Sequence, residues 1–524
     1  MIRNARVFSC SLTLLLLTRM VSAQTEAPPP AAPPGAPPAA APTPPAPAPA
    51  PPAANPPPAA EPAPPATPVA AAPPPTSPAP PAATPAEMAP PPAPATPPPP
   101  PPVPLNFGGS IWSRYEARGG YEEHGLTNPR THREGDYVVS RARLTLKTGP
   151  IDVGKGVEIS AVFAPQAAYT WGENAGTNPT VTDHPALQLY EGYASVGTKL
   201  YKLDVGRFSM NYGDALVIGE VGWNEVGRAF NGARLRITPT ESPAYVDGFV
   251  TVINEGRLVT EKPVAGDNYF WGVYAGLGPL FAKKFDWDLY FLNFNTARSS
   301  NVPLTGGMPP TTIQGDQDAA WEATLGSRLK GSLEPIDYRV EAGYQLGSRS
   351  VAPTFARPEP ADVDRSAYQI DAEIGVMPVK GLRIGLEGLI ASGDDLETLD
   401  KNEGYNELYP TAHKWLGLTD VLGPRTNLTS AVLHLKYQAS EAWSLMADAH
   451  YFSQPETDAS DTDGALGSEI DIWTDFAIGR GALFRALYGV FLPNETYWEP
   501  RATSADVAGN PIHYFELQFG IDFK

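Results

Sequence analysis

The last twelve residues, His513 to Lys524, alternate. Phe515, Leu517, Phe519, Ile521 and Phe523 share one parity, and Glu516, Gln518, Gly520 and Asp522 share the other. Alternation of period two puts one set on each face of a β-strand. The pattern recurs along the chain. Ser140, Ala142, Leu144 and Leu146 alternate with Arg141, Arg143, Thr145 and Lys147. Tyr338, Val340, Ala342, Tyr344 and Leu346 alternate with Arg339, Glu341 and Gln345, and Tyr368, Ile370, Ala372, Ile374 and Val376 with Gln369, Asp371 and Glu373. Trp321, Ala323 and Leu325 alternate with Glu322 and Thr324, and Leu433, Leu435 and Tyr437 with His434 and Lys436. The pattern predicts about eighteen strands. They begin near Ser110, Tyr137, Val157, Leu187, Leu200, Gly232, Tyr245, Asn268, Phe285, Ala320, Asp337, Ala367, Gly381, Ser430, Ala442, Glu469, Gly481 and Ile512. Long polar connections are expected at Ser348–Arg365, Ser392–Thr429 and Ser453–Ser468, and short turns elsewhere, such as Val376 to Gly381.

In a soluble sandwich the apolar faces would meet in a core, and some strands would be apolar on both faces. Few read that way. A polar or charged face on nearly every strand fits a transmembrane barrel, with apolar residues toward lipid and polar residues toward a water-filled lumen. A long final strand with outward aromatics is like the closing strand of a bacterial outer-membrane barrel, although Lys524 follows the last aromatic. Trp112, Trp271, Trp287, Trp321 and Trp443 lie at or near strand ends, where interfacial girdles form. No segment approaches the roughly eighteen apolar residues of a membrane helix, so any span is by strands. The expected fold class is an all-β transmembrane antiparallel barrel of about eighteen strands, preceded by a disordered Pro/Ala-rich segment.

Three segments follow from composition. Residues 1–23 read as a secretory signal peptide, with Arg3 and Arg6 before the apolar run Val7–Thr18 and small residues Val21-Ser22-Ala23 at the cleavage site. The single cysteine, Cys10, falls inside that signal and ahead of most of its apolar core, which argues against lipidation. The mature chain then has neither disulfides nor thiolate metal sites. Residues 24–104 are almost wholly Pro and Ala, a composition that cannot build a core and reads as a polyproline-like spacer. At about 3.1 Å per residue it would reach on the order of 250 Å, far enough to meet a cell-wall or periplasmic partner. Residues 105–524 form the barrel region. Without the three signal arginines and three linker glutamates it still carries a formal charge of −19, which excludes a nucleic-acid binder.

Two stretches carry a family resemblance. The first runs Gly206-Arg207, Tyr212-Gly213-Asp214, Trp223-Asn224, Gly227-Arg228-Ala229-Phe230, then Gly232-Ala233-Arg234-Leu235-Arg236. The second is Ala391-Ser392-Gly393-Asp394-Asp395, followed by Leu408-Tyr409-Pro410-Thr411-Ala412-His413 and, further on, Gly417 and Asp420. This succession resembles the alginate export family of outer-membrane porins, with Asn231 where an aspartate is expected. The resemblance implies an eighteen-stranded barrel passing anionic polysaccharide, with arginines at its constriction: Arg207, Arg228, Arg234 and Arg236. Arg234 and Arg236 share the lumen parity. Arg207 has the opposite parity and needs a bulge near Gly206 or a place at the strand end to face inward.

Arg141, Arg143 and Arg339 join the pore-lining candidates by parity. The inward set contains basic and acidic residues in near balance, with bases dominating the first six strands and acids the last three. A basic wall facing an acidic wall would set up a transverse field, as in general porins. The acids of Ser392–Thr429 (Asp394, Asp395, Glu397, Asp400, Glu403, Glu407 and Asp420) match no calcium-loop spacing and read as solvated loop charge. The seven histidines form no catalytic or metal motif, so neither an enzyme nor a cofactor is expected. The reading is a passive outer-membrane channel for hydrophilic solutes or acidic polysaccharide. Its alternatives are a general small-solute porin, or a barrel anchor that tethers the envelope through its Pro/Ala arm.

Overall fold

A computed structural model describes residues 103–126, 134–171, 186–239, 243–254, 258–259, 262–263, 268–281, 285–295, 299–303, 312–317, 320–351, 361–395, 397–457 and 464–524. The expected signal peptide and nearly all of the Pro/Ala segment lie outside the described residues.

Eighteen strands close into an antiparallel barrel. They are β1 Leu105–Gly119, β2 Gly135–Thr148, β3 Val157–Thr170, β4 Ala186–Gly197, β5 Tyr201–Phe208 and β6 Phe230–Ile237. Next come β7 Tyr245–Asn254, β8 Asn268–Gly276, β9 Phe285–Asn295, β10 Trp321–Leu333, β11 Ile336–Val351 and β12 Ala361–Val379. The last are β13 Leu382–Ala391, β14 Leu428–Gln438, β15 Trp443–Ser453, β16 Ala465–Ala477, β17 Ala482–Pro493 and β18 Ile512–Phe523. Each pairs with its neighbour in sequence, and β18 returns to β1, with Ile111 opposite Ile521 and Glu116 opposite Glu516. Closure leaves no open edge, which a lipid environment requires. Ile151–Gly154 extends the sheet at the base of β3, and Lys401–Asn402 lies parallel to the start of β12.

Every strand start predicted from the alternation corresponds to one strand. Several strands are longer than their alternation: β1 begins at Leu105 and β16 at Ala465, because backbone pairing continues past the last alternating side chain. Connections alternate in length. The turns 149–156, 198–200, 238–244, 277–284, 334–335, 380–381, 439–442 and 478–481 lie at one end, and nine longer loops at the other.

Outward positions are apolar and exposed, as a lipid-facing wall demands. Phe519, Ile521, Leu386, Ile374 and Leu433 are examples, and Leu386 sits between Ile374 on β12 and Leu433 on β14. An arginine there would sit against hydrocarbon at mid-strand, at a cost of roughly 2–4 kcal/mol. We expect Leu386→Arg to lower the free energy of folding into vesicles, read from urea titration, by that amount, and Leu386→Ala to lower it by less.

Indoles on the outer face ring both ends. At the loop end the Trp271 indole donates to Asn295 Oδ1 at 2.8 Å, and Trp171 donates to Ser140 Oγ at 2.9 Å. At the turn end Trp287 donates to Ser327 and Trp443 to Thr474. Trp112 does not join them. It is buried on the lumen face, with the guanidinium groups of Arg114 and Arg141 near its ring at 4.9 and 5.0 Å.

Candidate channel and its constriction

Inward positions carry the charge, and most lumen arginines pair sideways with a carboxylate on their own or a neighbouring strand. Arg234 on β6 meets Asp204 on β5 at 2.8 Å. Arg236 grips Asp247 on β7 with Nε at 2.7 Å and Nη2 at 2.6 Å. Arg339 on β11 serves Asp371 and Glu373 on β12 and Glu387 on β13, the last at 2.8 Å. Arg114 lies between Glu116 and Glu516, joining β1 to β18. The sequence led us to expect a basic wall opposite an acidic one, but closure puts the acidic last strands beside the basic first strands, and Arg114 meets Glu516 across that seam at 3.6 Å.

Arg141 and Arg143 differ, because neither has a carboxylate partner among the described residues. Arg141 donates through Nη1 to the carbonyls of Gly222 and Asn224, both at 3.1 Å. Arg143 shares Gln166 Oε1 and lies 3.3 Å from the Tyr190 ring centroid. Both point inward, as Arg234, Arg236 and Arg339 do.

Arg207 does not. No bulge forms at Gly206: the β5–β6 register runs unbroken through Gly206 opposite Gly232 and Arg207 opposite Asn231. Its neighbours Asp204 and Phe208 are buried inside, so the opposite parity leaves Arg207 on the outer face at the loop end. There Nε donates to Leu189 O at 2.9 Å and Nη1 to Asn231 Oδ1 at 3.2 Å. The irregularity lies one strand away, between β3 and β4, where the register slips at Ala164/Pro165. Gly206 is needed for another reason. With φ +134°, a Cβ there would stand 2.4 Å from the Gly192 carbonyl oxygen.

The lumen is not an open tube. Two long connections, residues 209–229 between β5 and β6 and residues 392–427 between β13 and β14, run inward from different sides and clasp. Gly219 N donates to Tyr409 O at 2.7 Å, Tyr409 N to Val217 O at 3.0 Å, and Thr411 N to Ala215 O at 3.0 Å. Arg228 fastens the same contact, donating through Nη1 to Gly219 O and Pro410 O. It is therefore a clasp residue rather than a wall residue. The Trp223 and His413 rings stack with centroids 3.8 Å apart, and His413 Nδ1 faces both Asp420 carboxylate oxygens at 3.0 Å. The two stretches that carried the family resemblance thus pack on each other across the lumen.

Wall groups hold the clasp in place. The Trp223 indole donates to Glu516 at 3.2 Å and Gln166 Nε2 donates to Val226 O at 2.6 Å, while Arg425 of the second loop donates to Leu216 O of the first. Glu469 on β16 accepts both the backbone N–H of Thr419 at 2.8 Å and its hydroxyl at 2.6 Å. Gly417 belongs to this contact: with φ +87°, a Cβ would lie 2.4 Å from the Glu469 carboxylate. Asp214 accepts from Arg328 Nε at 2.7 Å and Lys330 Nζ at 2.8 Å, while Lys414 donates to its backbone carbonyl at 3.0 Å. Burial alone would raise the Asp214 carboxyl. Lys330 and Arg328 outweigh it and hold the group down at about 2.

Of the second loop's acids, Glu397 and Asp400 are exposed as solvated loop charge, but the rest of the set is drawn into the structure. Glu407 is buried beside Arg425, and Glu403 accepts from the Thr398 hydroxyl. Tyr212, Leu216 and Ile218 from one loop and Tyr405, Trp415 and Leu416 from the other pack with Phe249, Phe270, Tyr274 and Tyr290 on the lumen side of β7–β9. The charge pattern gave no sign of this apolar plug, because those wall aromatics carry no charge and stand on the face expected to be polar.

Space remains toward the short-turn end. A cavity of about 650 Å³ is lined by Lys330, Arg339, Arg383, Lys414 and Lys436, against Asp286, Asp337 and Glu373. A second, of about 300 Å³, lies along Trp112, Arg141, Trp223 and Arg485. Between them a narrower space of about 190 Å³ borders Trp223, His413, Lys414 and Arg485. Among the described residues, Glu373, Glu387 and His434 bring ligand atoms within 4.8 Å of one another. Arg339 and Arg383 already donate to those carboxylates, so the group is neutralised without a metal ion.

Solved structures similar to this one include an outer membrane protein and a porin. OccK2 (OpdF) of Pseudomonas aeruginosa, solved with glucuronate, superposes with a TM-score of 0.51 at 10% identity, over 80% of this chain and 98% of that one. OpdK of the same organism, solved with vanillate, gives 0.50 at 11% identity over 80% and 98%. Acinetobacter baumannii OccAB1 gives 0.51 at 12% identity over 80% and 96%. At such identities the likeness shows the fold. No protein of curated function matches the sequence. The sequence model for alginate export matches residues 103–501, the whole barrel but its last strand. With that match and a closed porin-like barrel, this is an outer-membrane channel protein, and the chain belongs to the alginate export family.

Proposed function

We propose that the channel passes small hydrophilic solutes that carry a carboxylate, with the two-loop clasp setting the size limit. The observation that carries this reading is the 650 Å³ cavity behind the clasp, where five cationic side chains face three acidic ones. Cationic side chains along the face of a water-filled path attract anions. The apolar plug supports small solutes over an extended polymer, since a polymer needs a clear lumen along its whole length. Solved relatives of this fold hold glucuronate and vanillate, both carboxylates, which supports the same class. Acidic polysaccharide is the second reading. Family membership favours it, and it requires both loops to leave the lumen.

Long loops face outward in barrels of this kind, which puts the short turns in the periplasm. Leu105 begins β1 at the short-turn end, opposite Thr148. That supports a division into a signal peptide at 1–23, a periplasmic spacer at 24–104 and the barrel at 105–524, with the spacer free to reach a periplasmic or cell-wall partner. The test is the reversal potential of the refolded chain in a planar bilayer under a salt gradient. Anion preference, with no block by added polyuronate, supports the small-solute channel. Block by polyuronate moves the assignment to polysaccharide, and cation preference overturns both. Removing residues 25–104 should leave conductance unchanged.

A further inference from the structure

Most wall cations are neutralised by acids of neighbouring strands, which cannot leave. Arg328 and Lys330 on β10 are different. The carboxylate they share, Asp214, is carried by the clasp. We propose that Arg328, Lys330 and Lys414 form a binding subsite for a solute carboxylate, that Asp214 occupies it as an internal stand-in, and that solute binding there displaces Asp214 and releases the clasp. This rests on the carboxylate-channel reading and names the site and the gating step within it.

Three observations converge on it. The subsite opens on the side where a solute would wait: Lys330 and Lys414 line the 650 Å³ cavity, and the Lys330 side chain is 48% exposed whereas that of Asp214 is 15%. A cavity of that size accommodates a single sugar acid or an aromatic acid. Replacement is also balanced in charge. Arg328 keeps Asp288 at 2.9 Å when Asp214 leaves, so one incoming carboxylate restores the original count. Finally, Asp214 is coupled to closure. It sits in a tight turn in which Ala215 N donates to Tyr212 O, and the Ala215 carbonyl accepts the clasp bond from Thr411 N. Moving Asp214 off Arg328 and Lys330 pulls directly on that bond. A ligand shifts such an equilibrium only by binding one state better than the other, and an occupied subsite meets that condition.

The experiment is single-channel recording of the refolded full chain, with glucuronate or an equal concentration of glucose added to the short-turn side. For the wild type we expect glucuronate to raise open probability about tenfold, and glucose to leave it alone. Asp214→Asn should be open without glucuronate and should respond to it less than about twofold, with Asp214→Glu restoring the wild-type response. Lys330→Gln keeps the stand-in and should weaken the glucuronate response, which guards against an Asp214→Asn chain that folds poorly. Anion-selective current with Asp214→Asn and Lys330→Gln both gating as the wild type overturns this inference and leaves the channel reading standing. A cation-selective wild type removes the reading beneath it.

Discussion

Replacing residues 392–427 with Asn-Gly is expected to raise single-channel conductance by about fivefold or more without unfolding the barrel. The geometry invites the excision. Ala391 ends β13 directly opposite Leu428 at the start of β14, and Asn427 N already donates to Ser392 O at 3.1 Å. A two-residue turn with positive φ at both positions suits such a pair, and Asn427 already holds φ +54°. The deletion removes Tyr405, Trp415 and Leu416 from the plug and leaves residues 209–229 without the partners of their three clasp bonds, each worth about 1 kcal/mol. The wall itself loses the Asn406–Glu322, Thr419–Glu469 and Lys401–Asn402 contacts but keeps its ladder. Heat-modifiable migration on a gel checks folding, and planar-bilayer recording checks the pore. Unchanged conductance in a folded barrel would mean that the second loop does not limit the path.

The wall of this barrel could be read from the sequence because lipid and water impose opposite demands on alternate residues. Phe515, Leu517, Phe519, Ile521 and Phe523 face out and Glu516 and Gln518 face in, and the other strands follow the same rule. The lumen could not be read so well. Parity says that Arg234, Arg236 and Arg339 point inward, but not that each meets an acid of the neighbouring strand, since pairing depends on register. Arg207 shows the cost of preferring a motif to the pattern. Its parity was outward, and the register that would have turned it inward runs straight. The clasp was carried by the motif residues themselves, from Tyr212-Gly213-Asp214 to Tyr409-Pro410-Thr411, yet nothing in either stretch says that it meets the other. One signal was available. Phe249, Phe270, Tyr274 and Tyr290 are aromatic at lumen parity in three consecutive strands, and an aromatic wall facing the lumen calls for something apolar to cover it.

Arg339→Met should destabilise the barrel more than Leu386→Arg does. The Arg339 guanidinium is buried among Asp371, Glu373 and Glu387, donating to Glu387 at 2.8 Å and to Glu373 at 3.3 Å as well as to Asp371, and it lies 4.5 Å from the Trp415 ring centroid. Methionine there leaves three inward carboxylates facing one another, with Arg383 reaching Glu373 and His434 3.4 Å from Glu387, and Asp371 left with neither. Uncompensated buried charge of this kind costs roughly 3–5 kcal/mol. Arg339→Lys keeps the charge but not the planar fork that spans β12 and β13, so it should recover only part of the loss. The cause can be isolated from the missing side-chain volume. Adding Asp371→Asn and Glu387→Gln to Arg339→Met removes the stranded charge at nearly constant shape and should restore most of the stability. Urea unfolding from detergent micelles reads the wild type and all three variants. If the triple variant were no more stable than Arg339→Met, packing against Trp415 rather than charge would account for the role of Arg339, and the barrel wall would owe its integrity at this level to the plug.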